Sequence, residues 1–189
     1  MKWIITQIAI LLFSTNVFSQ LPRYLFLSKD YNKEFSLYKA KVYALKNLID
    51  STNELLKFKI TPISGANSGE LTTLIFESLP EKKIELLLAF YGNYWNESGV
   101  TYTGYAFKNI KKSQAIQILE RVYQIANQNK KFLDDELDEG NICYRTDGIT
   151  FLIYNVWGAT KIRVFWNGFD SEWDSKSLEK TLTNLKSKI

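Results

Sequence analysis

The chain has 189 residues, 24 Lys and Arg against 20 Asp and Glu, a net charge of +4, one cysteine and no histidine. The missing histidine excludes Ser-His-Asp and Cys-His catalysis, the HExxH metal motif and His-ligated zinc or copper. Any enzyme built on it must use carboxylates, Lys, Tyr or an oxygen-ligated metal. The charges are interspersed and form no basic block, which sets nucleic-acid binding aside, because that function needs a concentrated patch to displace counterions.

Met1-Lys2-Trp3, the apolar run from Ile4 to Phe13 and the polar decay into Ser14-Thr15-Asn16 predict a secretory signal peptide over residues 1–19. Val17 and Ser19 are suited to the positions before the cut, so cleavage is expected after Ser19. The run is too short for a spanning helix, which needs about 20 apolar residues, and no Cys stands near the cut for lipid attachment. The pattern resembles that of bacterial exported proteins, so the expected product is periplasmic or secreted, without a membrane anchor. Removal of the signal leaves 170 residues of net charge +3. A chain of that length buries roughly 70% of its unfolded surface, and no Pro/Gly/Ser-rich linker divides it, so residues 20–189 are expected to form one domain. Cys143, in Ile142-Cys143-Tyr144, is expected as a small buried hydrophobe, with an intermolecular disulfide as the alternative.

From Asp30 to Asp50, apolar residues at Phe35, Tyr38, Val42, Leu45 and Ile49, with Leu48 beside them, predict the buried stripe of a helix. Leu55 to Pro62 alternates and predicts a half-buried strand. The loop from Ser64 to Gly69 separates it from a strand over Leu71 to Ser78, and Pro80-Glu81-Lys82-Lys83 is the next turn. Ile84 to Tyr91 is almost wholly apolar, which predicts a central strand covered on both faces. Val100 to Phe107 predicts its neighbour. Ser113 to Gln128 is the clearest helix, with Ala115, Ile116, Leu119, Val122, Tyr123 and Ala126 as its buried face. Strands follow at Asn141–Thr146, Ile149–Tyr154 and Ala159–Trp166, the first two joined by the hairpin signal Asp147-Gly148. Leu178, Leu182, Leu185 and Ile189 predict a closing helix. The order α-ββββ-α-βββ-α, with short turns between strands, predicts an α+β domain with a mainly antiparallel sheet and helices packed on one face.

The acidic run Asp134, Asp135, Glu136, Asp138 and Glu139 is the candidate metal site. Clustered oxygen ligands suit Ca²⁺ in an exported protein, although Gly140 stands one place late for an EF-hand and no downstream Glu completes it. The alternative is a solvated loop. Ser36 to Lys39 and Ser177 to Lys180 match S-x-x-K, but the companion SDN and KTG elements of penicillin-recognising enzymes are missing. The Ser64–Gly69 loop lacks the Gly-Lys-Ser/Thr of a phosphate cradle and leads into a strand.

Aromatic residues supply the candidate ligand site: Tyr94, Trp95, Trp157, Trp166, Phe169 and Trp173. The tripeptides Tyr94-Trp95-Asn96 and Phe165-Trp166-Asn167 each end a predicted strand. Turn aromatics beside Asn, Asp and Glu suit stacking on sugars or gripping a peptide; the competing account is that these rings close the ends of the core. Three readings of function follow. The first is a non-catalytic exported binding or accessory domain using these aromatics. The second is a carboxylate enzyme such as a glycan hydrolase, drawing two acids from Glu97, Asp170, Glu172 and Asp174. The third is an immunity-like protein that binds one partner in the envelope. The partner classes expected are an envelope protein or a glycan.

Overall fold

A computed structural model describes residues 37–49, 55–79, 81–95, 101–134 and 139–188, with the side chains of residues 93–95 and 101–103 left out. The predicted signal peptide, its cleavage site, Glu97, and Asp135, Glu136 and Asp138 of the acidic run lie outside the described residues. Among the described residues no helix is long and apolar enough to cross a membrane.

The chain is an α+β domain. Helix α1 covers residues 37–47. Strands β1 (Phe58–Gly65), β2 (Leu71–Ser78), β3 (Lys83–Trp95) and β4 (Thr101–Lys111) follow, then helices α2 (Lys112–Gln128) and α3 (Lys130–Leu133). Strands β5 (Asn141–Thr146), β6 (Ile149–Val156), β7 (Ala159–Trp166) and β8 (Phe169–Asp174) run into helix α4 (Ser175–Ser187). The helix and strand order is the expected one, with the short helix α3 added after α2 and an eighth strand added after Trp166. Phe169-Asp170-Ser171-Glu172-Trp173-Asp174 alternates buried and half-exposed residues, so it carries the period of a strand in a segment dense with acids.

Each set of four strands is an antiparallel meander, β1-β2-β3-β4 and β5-β6-β7-β8, and each is followed directly by a helix. The two meanders join where Tyr94 of β3 pairs with Phe169 of β8. Alternation then assigns the faces. Leu71, Ile75, Leu86, Leu88 and Phe90 point inward with Phe151, Ile153, Ile162, Val164 and Trp173. Against this inner face pack Ala115, Leu119 and Val122 of α2 and Leu178 and Leu185 of α4. Tyr123, expected on the buried side of α2, lies at the edge of the stripe and is 42% exposed.

The outer face of the first meander is covered by α1, where Ala40, Ala44 and Leu48 meet Leu74, Phe76, Leu87 and Ala89. This is the second cover that the unbroken apolar run of β3 requires. The expectation for α1 is corrected here. Its seat uses Ala40 and Ala44, which let the helix axis approach a surface already filled by Phe76 and Leu87, while Tyr38 and Leu45 point away. A second correction concerns Cys143, which is exposed. In the edge strand β5, Ile142 and Tyr144 pack against the core, so Cys143 between them faces outward.

The turns of the second meander are of one kind. Asp147-Gly148, Trp157-Gly158 and Asn167-Gly168 each place two successive residues at positive φ, the two-residue type I′ connection that matches strand twist. Asp147, Trp157 and Asn167 stand ten residues apart.

Candidate functional site

Backbone register gathers aromatic residues that are far apart in sequence. Phe169 pairs across the β7–β8 turn with Trp166 and across the junction with Tyr94. The end of β3 that carries Tyr94 and Trp95 therefore meets the turn that carries Trp166 and Asn167. Within this corner the Phe90 ring lies 5.3 Å from Trp166 and 6.0 Å from Phe169, both tilted, a spacing favourable for aromatic pairs.

Beside the junction a cleft of about 300 Å³ is lined by Phe165, Trp166, Asn167, Phe169, Asp170 and Gly148 of the neighbouring turn. Phe169 is 4% exposed and Trp166 half-buried, so these two rings of the lining are anchored in the core, and Asn167 and Asp170 add polar groups to it. Asp170 is held by Arg163, whose Nε lies 2.5 Å from Oδ1. Glu70, from the β1–β2 loop, completes the arrangement: its Oε2 lies 3.9 Å from Arg163 Nη2 and accepts the Glu172 N–H at 2.8 Å. Partial burial disfavours the Arg163 charge, but Asp170 and then Glu70 outweigh it and raise its pKa. Lys161 pairs with Glu172 at 2.9 Å. The acids of this face are thus matched to cations, Asp170 to Arg163 and Glu172 to Lys161.

The remaining aromatic candidates fall elsewhere. Trp173 is 1% exposed and belongs to the core. Trp157, 95% exposed, tips the β6–β7 turn at the opposite end of these strands. A larger cleft of about 380 Å³ lies between α2, α4 and β7, edged by Tyr123, Asn127, Lys130, Thr160 and Glu179 over a floor that includes Leu178. Gly148 is not among the expected site residues, because pairing across strands, not sequence neighbourhood, brings it to the junction cleft; Phe165 and Asn167, which the sequence offers only as parts of a tripeptide, line it beside Trp166.

Of the acidic run, the Asp134 carboxylate accepts from Asn155 Nδ2, and the Glu139 carbonyl accepts from Asn141 Nδ2 at 2.7 Å. Among the described residues no group of three or more Cys, Asp or Glu is placed to hold a metal ion. Gly140 has a separate reason to be there: a Cβ on it would stand 2.2 Å from the Phe132 carbonyl oxygen, so the chain passes closely over the end of α3.

Asp174, offered by the sequence as a catalytic acid, caps α4. Its Oδ1 accepts the Ser177 N–H at 2.9 Å and its Oδ2 accepts the Asn67 N–H at 3.1 Å. The Ser177 hydroxyl lies 2.8 Å from Asp174 Oδ2 and 2.9 Å from the Gly65 carbonyl, and its one proton serves either of them. Burial pushes the Asp174 carboxyl up, yet the hydrogen bonds from Ser177 and Asn67 prevail and hold it below the usual range. That also places the Ser of the second S-x-x-K match in a cap. No protein-family model matches this sequence, and no curated protein matches it either.

Proposed function

We propose that this protein is a non-catalytic, exported binding domain that recognises a carbohydrate at the junction cleft. The observation that carries the reading is the convergence of Phe165, Trp166 and Phe169 with Asn167 and Asp170 on one cleft at the strand ends. Aromatic faces stack on the apolar face of a sugar ring, while an amide accepts from or donates to its hydroxyls and a carboxylate accepts from them. Anchoring of Trp166 on Phe90 keeps the platform rigid, so little entropy is lost on binding. Hydrolysis by a carboxylate pair is the weaker reading, because Asp170 is the one carboxylate among the described lining residues and two are required.

The test is a screen of envelope glycans and of extended peptides against the protein, followed by the Trp166 indole N–H resonance. The expected outcome is a saturable shift with a glycan in the unmodified protein and, by calorimetry, an affinity lowered at least about tenfold by Trp166→Leu and unaffected by Trp157→Ala. A peptide that produces the same shift would replace the carbohydrate with the protein-partner reading. Binding indifferent to Trp166→Leu and Phe165→Ala, or no glycan or peptide that moves the resonance, would overturn the site.

A further inference from the structure

We propose that α1 is a docking helix: its outward side is built to receive an amphipathic partner helix flanked by acidic residues. The inference is independent of the junction cleft. At about 100° per residue, Tyr38, Val42 and Leu45 fall on one narrow stripe, on the side of α1 opposite the buried Ala40 and Ala44. Tyr38 is 61% exposed and Leu45 58%. Solvent-facing turns of a helix seated on a sheet ordinarily carry polar residues, and here they carry large apolar ones at i, i+4 and i+7. That is the anchor spacing by which one helix lies along another.

Charge decides the occupant. On the same wheel Lys41 borders one side of the stripe, and Lys39 and Lys46 border the other; no Asp or Glu occurs between Leu37 and Ile49. A second copy of α1 laid along the stripe would set lysine against lysine. A helix with Glu or Asp beside its own apolar seam sets opposite charges on both flanks, the arrangement that fixes register and partner choice in paired helices. A membrane surface also attracts a basic amphipathic helix, but its binding scales with buried apolar area, and this stripe spans two turns. A partner helix needs no more than such anchors to be aligned.

The experiment uses the purified protein and two synthetic helical probes with one leucine seam at alternating three- and four-residue steps, one flanked by Glu and the other by Lys. Fluorescence anisotropy is expected to show the Glu-flanked probe bound about fivefold or more tighter than the Lys-flanked probe. Lys41→Glu with Lys46→Glu is expected to reverse that order. Leu45→Glu, and separately Tyr38→Glu, are expected to abolish binding without changing the circular dichroism spectrum, since all four positions are exposed. Equal affinity for both probes, or none for the Glu-flanked probe, overturns the proposal. So does sedimentation with phosphatidylglycerol vesicles that Leu45→Glu abolishes, which would make the stripe a lipid contact. A concentration-dependent dimer dispersed by Leu45→Glu overturns it in favour of a second copy.

Discussion

Phe169 pairs with Tyr94 through its backbone while its ring packs 6.0 Å from Phe90. One residue of β8 therefore joins the two meanders twice, once by register and once through the core. The cleft lies beside this joint, where three strand ends meet. A site located there depends on both halves of the fold, although its lining residues come mostly from β7 and β8.

Replacing Phe169 by Ala should test that dependence. The ring is 4% exposed, and truncating a buried Phe costs about 3–5 kcal/mol. The expected result in urea is a lower midpoint for the whole domain. A transition that splits in two would show that the halves unfold separately.

Trp157 stands at φ +50°, where a bulky side chain costs about 1–2 kcal/mol and Asn costs less. The equivalent positions of the other two turns hold Asp147 and Asn167. Trp157→Asn is therefore expected to stabilise the protein by about 1 kcal/mol, read as a rise in Tm. An unchanged or lowered Tm would show that the Trp157 ring contributes packing that offsets its backbone strain.

Asp174 gives the fold an acid-sensitive element. Its carboxyl titrates lower in the folded chain than in the unfolded one, so its contribution is complete at neutral pH. That contribution declines once pH falls below about 4 and continues through the folded value. Asp174→Ala should cost about 1–2 kcal/mol at pH 7, and the gap from the unmodified protein should narrow toward pH 2. A gap that does not change with pH would mean that the charge of the cap contributes nothing.

A buried network fastens α1 at the other extreme of pH. Glu85, 2% exposed, accepts from Asn109 Nδ2 at 2.8 Å and pairs with Lys83 at 3.2 Å. A carboxylate accepts only, so the Asn109 amide nitrogen must face it, and its oxygen receives the Tyr43 hydroxyl at 2.8 Å. Burial, then the neighbouring Glu85 charge, raise the Tyr43 pKa. A raised phenol stabilises the fold below the ordinary value of about 10 and loses that contribution as pH climbs through its own value. Tyr43→Phe should cost about 0.5–1.5 kcal/mol and remove this alkaline step from the stability profile. Asn109→Leu should cost more, about 2–3 kcal/mol, because it strips a donor from a buried carboxylate. Equal losses in the two variants would contradict the ordering.

The α+β class, the element order and the double cover of β3 are legible in the sequence, because periodicity and the apolar run from Ile84 to Phe90 report how many faces are buried. The sequence does not reveal which stripe of α1 is buried. Tyr38, Val42 and Leu45 are larger hydrophobes, yet the seat over Phe76 and Leu87 selects Ala40 and Ala44 for their size, with Leu48 and Ile49 beside them as expected. Strand β8 is hidden by its acids, whose cation partners Lys161 and Arg163 lie on the adjacent strand. Four of the six candidate aromatics share one composition signal but serve three purposes: Trp173 fills the core, Trp157 tips a turn, and Trp166 and Phe169 line the cleft. Only cross-strand register separates these, and register is not written in any one segment.

The regular turns of the second meander bear on how the chain assembles. Every pairing from β5 to β8 is made between sequence neighbours through two residues, so this half is rich in local contacts and closes in small steps, each hairpin in about 1–10 μs. The Tyr94–Phe169 pairing instead encloses a loop of 75 residues, whose entropy must be met before any contact rewards it. Folding is therefore expected to start at the Asp147 and Asn167 turns and to end at the joint, with φ-values high in the hairpins and low at Phe90, which reaches Trp166 across the joint. The cleft lining, Gly148 and Phe165 to Asp170, belongs to these early hairpins, so a chain still short of its joint already carries the residues of the cleft and lacks only Phe90, on which Trp166 is anchored.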